Sequence, residues 1–206
     1  PNLVRVKTNI PVSFMFEPGS TMKPLTMLPA IEYKLVKPTE TFQCGRYQTG
    51  HRIISDTHQY GNLTPREIIV KSSNVGIAKI AERIGPTRLY EKFIALGFGQ
   101  KTALNMTGES SGMFAKLQNW DGYTLHSVSF GQGISTTALQ LATAYCAIAN
   151  GGKLMKPIIV DTIRDEEGKI VEQFEPTVLR NVSTPAATDT ITSYLQGVVD
   201  NLSLLP

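Results

Sequence analysis

The chain has 206 residues, 41% hydrophobic and 18% charged, an ordinary globular usage that excludes a disordered or fibrous polymer. Twenty Lys and Arg against 17 Asp and Glu leave a net charge of +3, spread thinly enough to give no nucleic-acid footprint. Two cysteines are too few for a disulfide scaffold, and no run of 18 apolar residues suggests a bilayer span.

In chain order, Asn9–Phe16 reads as a short strand or extended arm that ends in the turn Glu17-Pro18-Gly19. Ser20 then opens a helical pattern through Met22, Leu25, Leu28, Ile31 and Leu35. Pro24 falls in the first turn, where backbone N–H groups lack partners anyway, whereas Pro29 is expected to kink this helix or end its regular part. Lys37 to Gly61 is polar and loop-like. Thr64-Pro65-Arg66-Glu67 carries a capping box and starts a helix reaching about Lys71. Val75–Ile84 and Thr87–Leu96 are further helical segments, divided by Gly85-Pro86. Thr136–Ala149 is the longest helical stretch, with Leu139, Ala142, Tyr145 and Ala149 on one face and Asn150-Gly151-Gly152 as its stop. Ile158–Arg164 and Lys169–Phe174, joined by Asp165-Glu166-Glu167-Gly168, read as a β-hairpin, and Thr188–Val199 as a last helix. The pattern is α+β, with a helical lobe over about 36–150 and the hairpin over about 157–175 of one domain.

Three local features could carry chemistry. In Phe16-Glu17-Pro18-Gly19-Ser20-Thr21-Met22-Lys23-Pro24, Ser20 sits at a helix start, where free N–H groups favour developing negative charge. Lys23 lies three residues on, on the same face. A serine needs a base, and a lysine serves as one only if burial lowers its pKa from about 10.4 toward neutrality. Taken alone, the pair reads equally as an N-cap serine with an extended lysine. The second feature is Lys71-Ser72-Ser73-Asn74-Val75-Gly76, which alone reads as a capped junction between helices. The third, Ser129-Phe130-Gly131-Gln132-Gly133, lacks the third glycine and strand context of a dinucleotide loop and reads as a tight turn. The three histidines are scattered, neither cysteine has the company of a metal site, and a Cys44–Cys146 bridge stays open.

Together the motifs change the reading. S-x-x-K followed by an S-x-N element is the order found in penicillin-binding proteins and serine β-lactamases. The flanks F-E-P-G-S-T-M-K-P, K-S-S-N-V-G, S-F-G-Q-G and N-G-G-K-L-M-K-P resemble the transpeptidase domain of class B penicillin-binding proteins, of the septal or cell-division type. That resemblance implies a penicillin-binding fold, an antiparallel sheet with a helical lobe. It implies Ser20 as nucleophile, Lys23 as proton acceptor, Ser72 as proton relay and Asn74 as a hydrogen-bonding partner of Lys23 and the substrate amide. It also implies Ser73, Gly131 and Gly133 in substrate binding.

The substrate so implied is a peptidoglycan stem peptide ending in D-Ala-D-Ala, with β-lactams as covalent inhibitors, no cofactor or metal, and a membrane-bound glycosyltransferase as partner. The place implied is the periplasmic side of the bacterial inner membrane, with an anchor outside this chain. The third motif of the set, K-T-G, is absent, since Lys101-Thr102-Ala103 lacks the glycine and lies too early. The K-T-G strands are therefore expected beyond Pro206, in a longer protein of which 1–206 is a partial domain. Two other readings stand beside the enzyme: a β-lactam sensor or hydrolase, which needs an acid to place water and finds none at a motif position, with Glu109 a stray candidate, and a non-catalytic scaffold of the cell-wall machinery.

Overall fold

The computed structural model describes residues 8–202, so the domain expected over 1–206 extends at both ends outside the described residues. The chain enters through one helical turn, α1 (Ile10–Ser13), and a two-residue strand, β1 (Met15–Phe16), instead of an extended arm over Asn9–Phe16. Pro11 favours that turn, because its missing N–H would be unpaired there in any case. Ser13 Oγ closes it by donating to the Asn9 carbonyl at 2.8 Å.

A 3₁₀ turn, Gly19–Thr21, leads into helix α2 (Met22–Glu32). Every residue from Met22 to Ala30 is buried, so α2 is packed on all sides, unlike a helix with a single apolar stripe. This explains why Pro29 does not end it. The proline costs about 3 kcal/mol, while burying each large apolar neighbour such as Met27 or Leu28 returns roughly 1.5–3 kcal/mol. The helix closes with Leu35 N donating to Ala30 O at 2.8 Å and Lys34 N to Ile31 O at 3.0 Å. Lys34 takes φ +55°, the left-handed position usually given to glycine.

The polar stretch from Lys37 to Gly61 is not the plain loop its composition suggests. It holds β2 (Phe42–Gln43), β3 (Tyr47–Thr49) and β4 (Arg52–Ile54), followed by β5 (Asn62–Leu63). β2 pairs with β5, and β3 with β4, both antiparallel. Single apolar residues pin these strands: Phe42, Ile54 and Leu63 reach the core while their neighbours stay in water.

Three helices follow: α3 (Pro65–Val70), α4 (Asn74–Ile84) and α5 (Pro86–Ala95), the first with the capping box expected at Thr64 and Glu67. A short helix, α6 (Thr124–Ser129), precedes the Gly131–Gly133 turn and has no counterpart in the sequence reading. Its start is fixed by Asp121 Oδ1, which accepts from the backbone N–H of Tyr123 and Thr124. Strand β6 (Thr136–Thr137) pairs with β1, and helix α7 begins two residues later than expected (Ala138–Ala149) behind a Thr137–Gln140 capping box. Its buried face is Gln140, Ala144, Ala147 and Ile148, not Leu139, Ala142, Tyr145 and Ala149. A helix apolar nearly all round gives its periodicity no contrast.

Strand β7 (Lys153–Met155) is followed by the expected hairpin, β8 (Thr162–Arg164) with β9 (Ile170–Gln173). Strand β10 (Val178–Asn181) then returns to β7, and the chain ends in helix α8 (Pro185–Leu202). The α+β class is thus present, its antiparallel strands arranged as two-stranded pairs. α2 lies between α4, α5 and α8, and α4 packs against α6. Lys92 Nζ, buried between Glu32 Oε2 (2.7 Å) and the Val182 carbonyl (2.6 Å), ties α5 to α2 and to the segment entering α8. Cys44 and Cys146 are both free, the first buried and the second exposed.

Candidate active site

The start of α2 presents Ser20 to solvent and buries Lys23, which is 2% exposed. Gly19 makes this possible by taking φ +57°, which bends the chain between β1 and the helix. Three attachments fix the turn. Gly19 N donates to Gly131 O at 3.0 Å, Gly133 N donates to Glu17 Oε1 at 2.8 Å, and Tyr145 OH of α7 donates to Thr21 O at 2.7 Å. Gly131 itself stands at φ +81°, and any Cβ there would strike the backbone of Gly19. Both glycines therefore brace the Ser20 turn through their backbones.

Lys23 Nζ lies 3.1 Å from Ser20 Oγ and 2.8 Å from Ser72 Oγ, and it also donates to the Ser72 carbonyl. Ser72 comes from the opposite wall, where α3 ends and α4 begins. Ser72 N donates to Ile69 O and Ser73 N to Ile68 O, a helix stop that places Ser72 at φ +55°. For a non-glycine residue that conformation costs roughly 1 kcal/mol or more. Here it turns both the hydroxyl and the carbonyl of Ser72 toward Lys23. Burial drives the Lys23 ammonium down to about 8, partly opposed by the carboxylate of Asp56. A substantial neutral fraction near physiological pH is what a general base requires.

Asp56 holds this second wall. Its Oδ2 accepts from Ser73 Oγ at 2.6 Å, and its Oδ1 accepts from the backbone N–H of Asn74 and of Val75. Ser73 is fully buried and caps α4 through Gly76 N at 2.9 Å, so it cannot touch a substrate as the sequence reading expects. Asn74 also departs from expectation. Its side-chain amide donates to Ser55 O at 3.4 Å and makes no hydrogen bond with Lys23. Being N1 of α4 directs it along the outer edge of the turn, while Ser72 occupies the lysine's remaining directions.

The geometry places a weak nucleophile, a buried amine and a second hydroxyl in one hydrogen-bonded line, the arrangement needed for acyl transfer. Residues 4–203 match the family model of the penicillin-binding protein transpeptidase domain. The chain belongs to that family. Its similarity places it among the class B penicillin-binding proteins: it is 36% identical over 194 residues to penicillin-binding protein PbpB of Mycolicibacterium smegmatis, covering 93% of this chain and 30% of that protein. With the peptidoglycan D,D-transpeptidase FtsI of Escherichia coli K12 it shares 32% identity over 155 residues, 75% of this chain and 26% of FtsI. Among solved structures, penicillin-binding protein 3 of Mycobacterium tuberculosis complexed with aztreonam superposes with a TM-score of 0.86 at 34% identity. That match covers 93% of this chain and 43% of the other. The transpeptidase domain of penicillin-binding protein 3 from Burkholderia pseudomallei gives 0.83 at 31% identity, covering 93% of this chain and 56% of that one. The chain thus spans about 30% or less of the length of these curated relatives.

In this penicillin-binding domain the near-miss Lys101-Thr102-Ala103 lies away from the motif residues' hydrogen bonds. Thr102 is buried and donates both its N–H and its hydroxyl to Glu109 Oε1. Glu109, so engaged, makes no hydrogen bond to Ser20, Lys23 or Ser72. Two residues of the site escape the sequence reading. Asp56 sits in a polar loop and looks like any solvated acid. Tyr145 is more legible, because a phenol in a mostly apolar helix needs a partner for its hydroxyl. Burial also pushes that phenol up to about 12.

Proposed function

We propose that the protein works as a peptidoglycan D,D-transpeptidase through a Ser20 acyl-enzyme. The observation carrying this reading is Lys23 Nζ bridging Ser20 Oγ at 3.1 Å and Ser72 Oγ at 2.8 Å, with its charged form disfavoured by burial. Neutral Lys23 takes the Ser20 proton as Oγ attacks the carbonyl between the two terminal D-alanines. The tetrahedral oxyanion forms at the start of α2, where the Ser20 N–H is a donor. As the C–N bond breaks, the proton passes from Lys23 through Ser72 to the departing D-alanine amine. The amine of a second stem peptide then attacks the ester by the reverse route, and Ser20 recovers its proton. Asn74 Oδ1, without a partner among the described residues, takes the N–H of the substrate amide.

A β-lactam enters the same way, its ring opening onto Ser20. The M. tuberculosis relative with aztreonam supports this reading. The substrate places the reaction outside the cytoplasm, in the periplasm, with the natural protein anchored in the inner membrane by a segment outside 1–206. Cell-wall synthesis at division beside a glycosyltransferase partner is the setting we propose. No helix among the described residues is long and apolar enough to cross a membrane. The test supplies the full-length natural protein with D-Ala-D-Ala stem peptides. D-alanine release with a new interpeptide amide is expected, and both must vanish in Ser20→Ala. Cross-linking that persists in that variant overturns the proposal.

A further inference from the structure

Acyl transfer is acylation run backwards with a different amine, so the entering amine follows the path of the leaving one. Ser72 is the proton relay on that path in the function proposed above, on which this inference rests. Whatever is attached to the entering amine must therefore lie on the Ser72 side of the nucleophile.

Beside the Ser72 turn the structure has a cavity of about 680 Å³, within the range of sites that enclose small ligands or peptide segments. Its walls adjoin the Ser72 turn from both directions. Ser55 and Asp56 line it and bind the backbone or amide of Asn74. Tyr60 lines it as well, donates its hydroxyl to Lys71 O at 3.3 Å, and carries the Lys71 ammonium 5.6 Å from its ring centroid. The charge of the lining is uneven. Asp56 has both oxygens engaged by the Ser73–Val75 segment. Arg46 lines the cavity, is exposed, and its guanidinium has no hydrogen-bond or ion-pair partner among the described residues. A peptide segment bearing a carboxylate suits such a cavity, because a guanidinium forks onto a carboxylate with two parallel hydrogen bonds.

We infer that this cavity receives the acceptor strand: a stem peptide whose amine attacks the Ser20 ester and whose free carboxylate is bound by Arg46. In that step the acceptor nitrogen bonds to the acyl carbon and the ester C–O bond breaks. The amine's proton returns through Ser72 and Lys23 to Ser20 Oγ, so no further reagent is needed.

The test uses the full-length protein with a thioester donor and two acceptors, a stem peptide with its terminal carboxylate free and the same peptide with that carboxylate amidated. Transfer and hydrolysis are both counted per acyl-enzyme formed, so any change in Ser20 reactivity cancels. The native protein should favour the carboxylate acceptor by about fivefold, the size expected of a partly exposed ion pair. Arg46→Gln should level the two acceptors, and Arg46→Glu should reverse the order. A native preference that survives unchanged in Arg46→Gln, or no native preference at all, overturns the acceptor site. Failure of the native protein to form any acyl-enzyme overturns instead the functional reading beneath it.

Discussion

The two walls that meet at Lys23 are held by different means. The Ser20 turn is held at three points, backbone to backbone from Gly19 to Gly131 and through side chains from Glu17 to Gly133 and from Tyr145 to Thr21, above a helix buried on every side. The Ser72 turn closes α3 by its own backbone bonds to Ile68 and Ile69, but it is tied to the neighbouring loop by one carboxylate, Asp56, and it contains a strained left-handed residue. A turn held at three separate points keeps two of them when one side chain is lost, and its backbone contact fails only where space is missing. A turn held by one carboxylate can be loosened by a single atom. The nucleophile is thus built to stay still, while its proton relay can be adjusted.

Breaking the shared lysine should have the largest effect. Lys23→Met keeps much of the buried volume yet removes the base, so penicillin acylation should fall by about 10³- to 10⁴-fold with the fold intact by circular dichroism. Lys23→Arg should be as damaging, since guanidinium stays protonated at accessible pH. Acylation surviving in either variant would remove Lys23 from the mechanism.

Next comes the backbone clamp. Gly131→Ala drives a methyl into Gly19 and strains φ at once, which should cost about 3 kcal/mol in denaturant unfolding. The displaced Ser20 should acylate about a hundredfold more slowly. A variant of native stability and rate would show that the two turns are not in rigid contact.

The other wall should respond more gently and with a different signature. Asp56→Asn keeps the shape but removes the anion that favours charged Lys23. Acylation in the native protein should rise with pH and reach half its plateau near 8, because only the neutral amine accepts the proton. Without Asp56 the charged form loses its support, so the midpoint should move lower, while the plateau rate drops about tenfold as the Ser72 turn loosens. A midpoint that stays put, or moves upward, would contradict the role given to Asp56.

The smallest effect is a difference in stability, and it separates the hydroxyl of Ser72 from its backbone. Ser72→Gly and Ser72→Ala should slow acylation equally, by about thirtyfold, since each removes the relay. The glycine variant should nevertheless be about 1 kcal/mol more stable, because it adopts φ +55° without strain. Equal stabilities would mean that the left-handed turn is not strained.

This contrast also explains what a sequence can disclose. Ser20 and Lys23 were legible because three residues on a helix put two side chains on one face, a local rule that folding preserved. The Thr64–Glu67 capping box was legible for the same reason. Asp56 was not, because its partners lie 17 to 19 residues away and only the folded chain brings them together. The family resemblance implies Ser73 and Gly131 as substrate contacts. Ser73 is fully buried and Gly131 touches Gly19, so in the fold both also support the motif turns. The short strands between Phe42 and Leu63 were hidden because none commits more than one side chain to the buried core. The buried face of α7 was misread because an apolar helix offers no contrast.

The most direct measurement is the site of acylation. Full-length protein treated with a β-lactam, digested and mapped by mass spectrometry should carry one adduct, on the peptide containing Ser20. The same treatment of Ser20→Ala should leave the protein unmodified. An adduct on Ser72 or Ser73, or labelling that persists without the Ser20 hydroxyl, would contradict the assignment of the nucleophile and with it the roles of both walls.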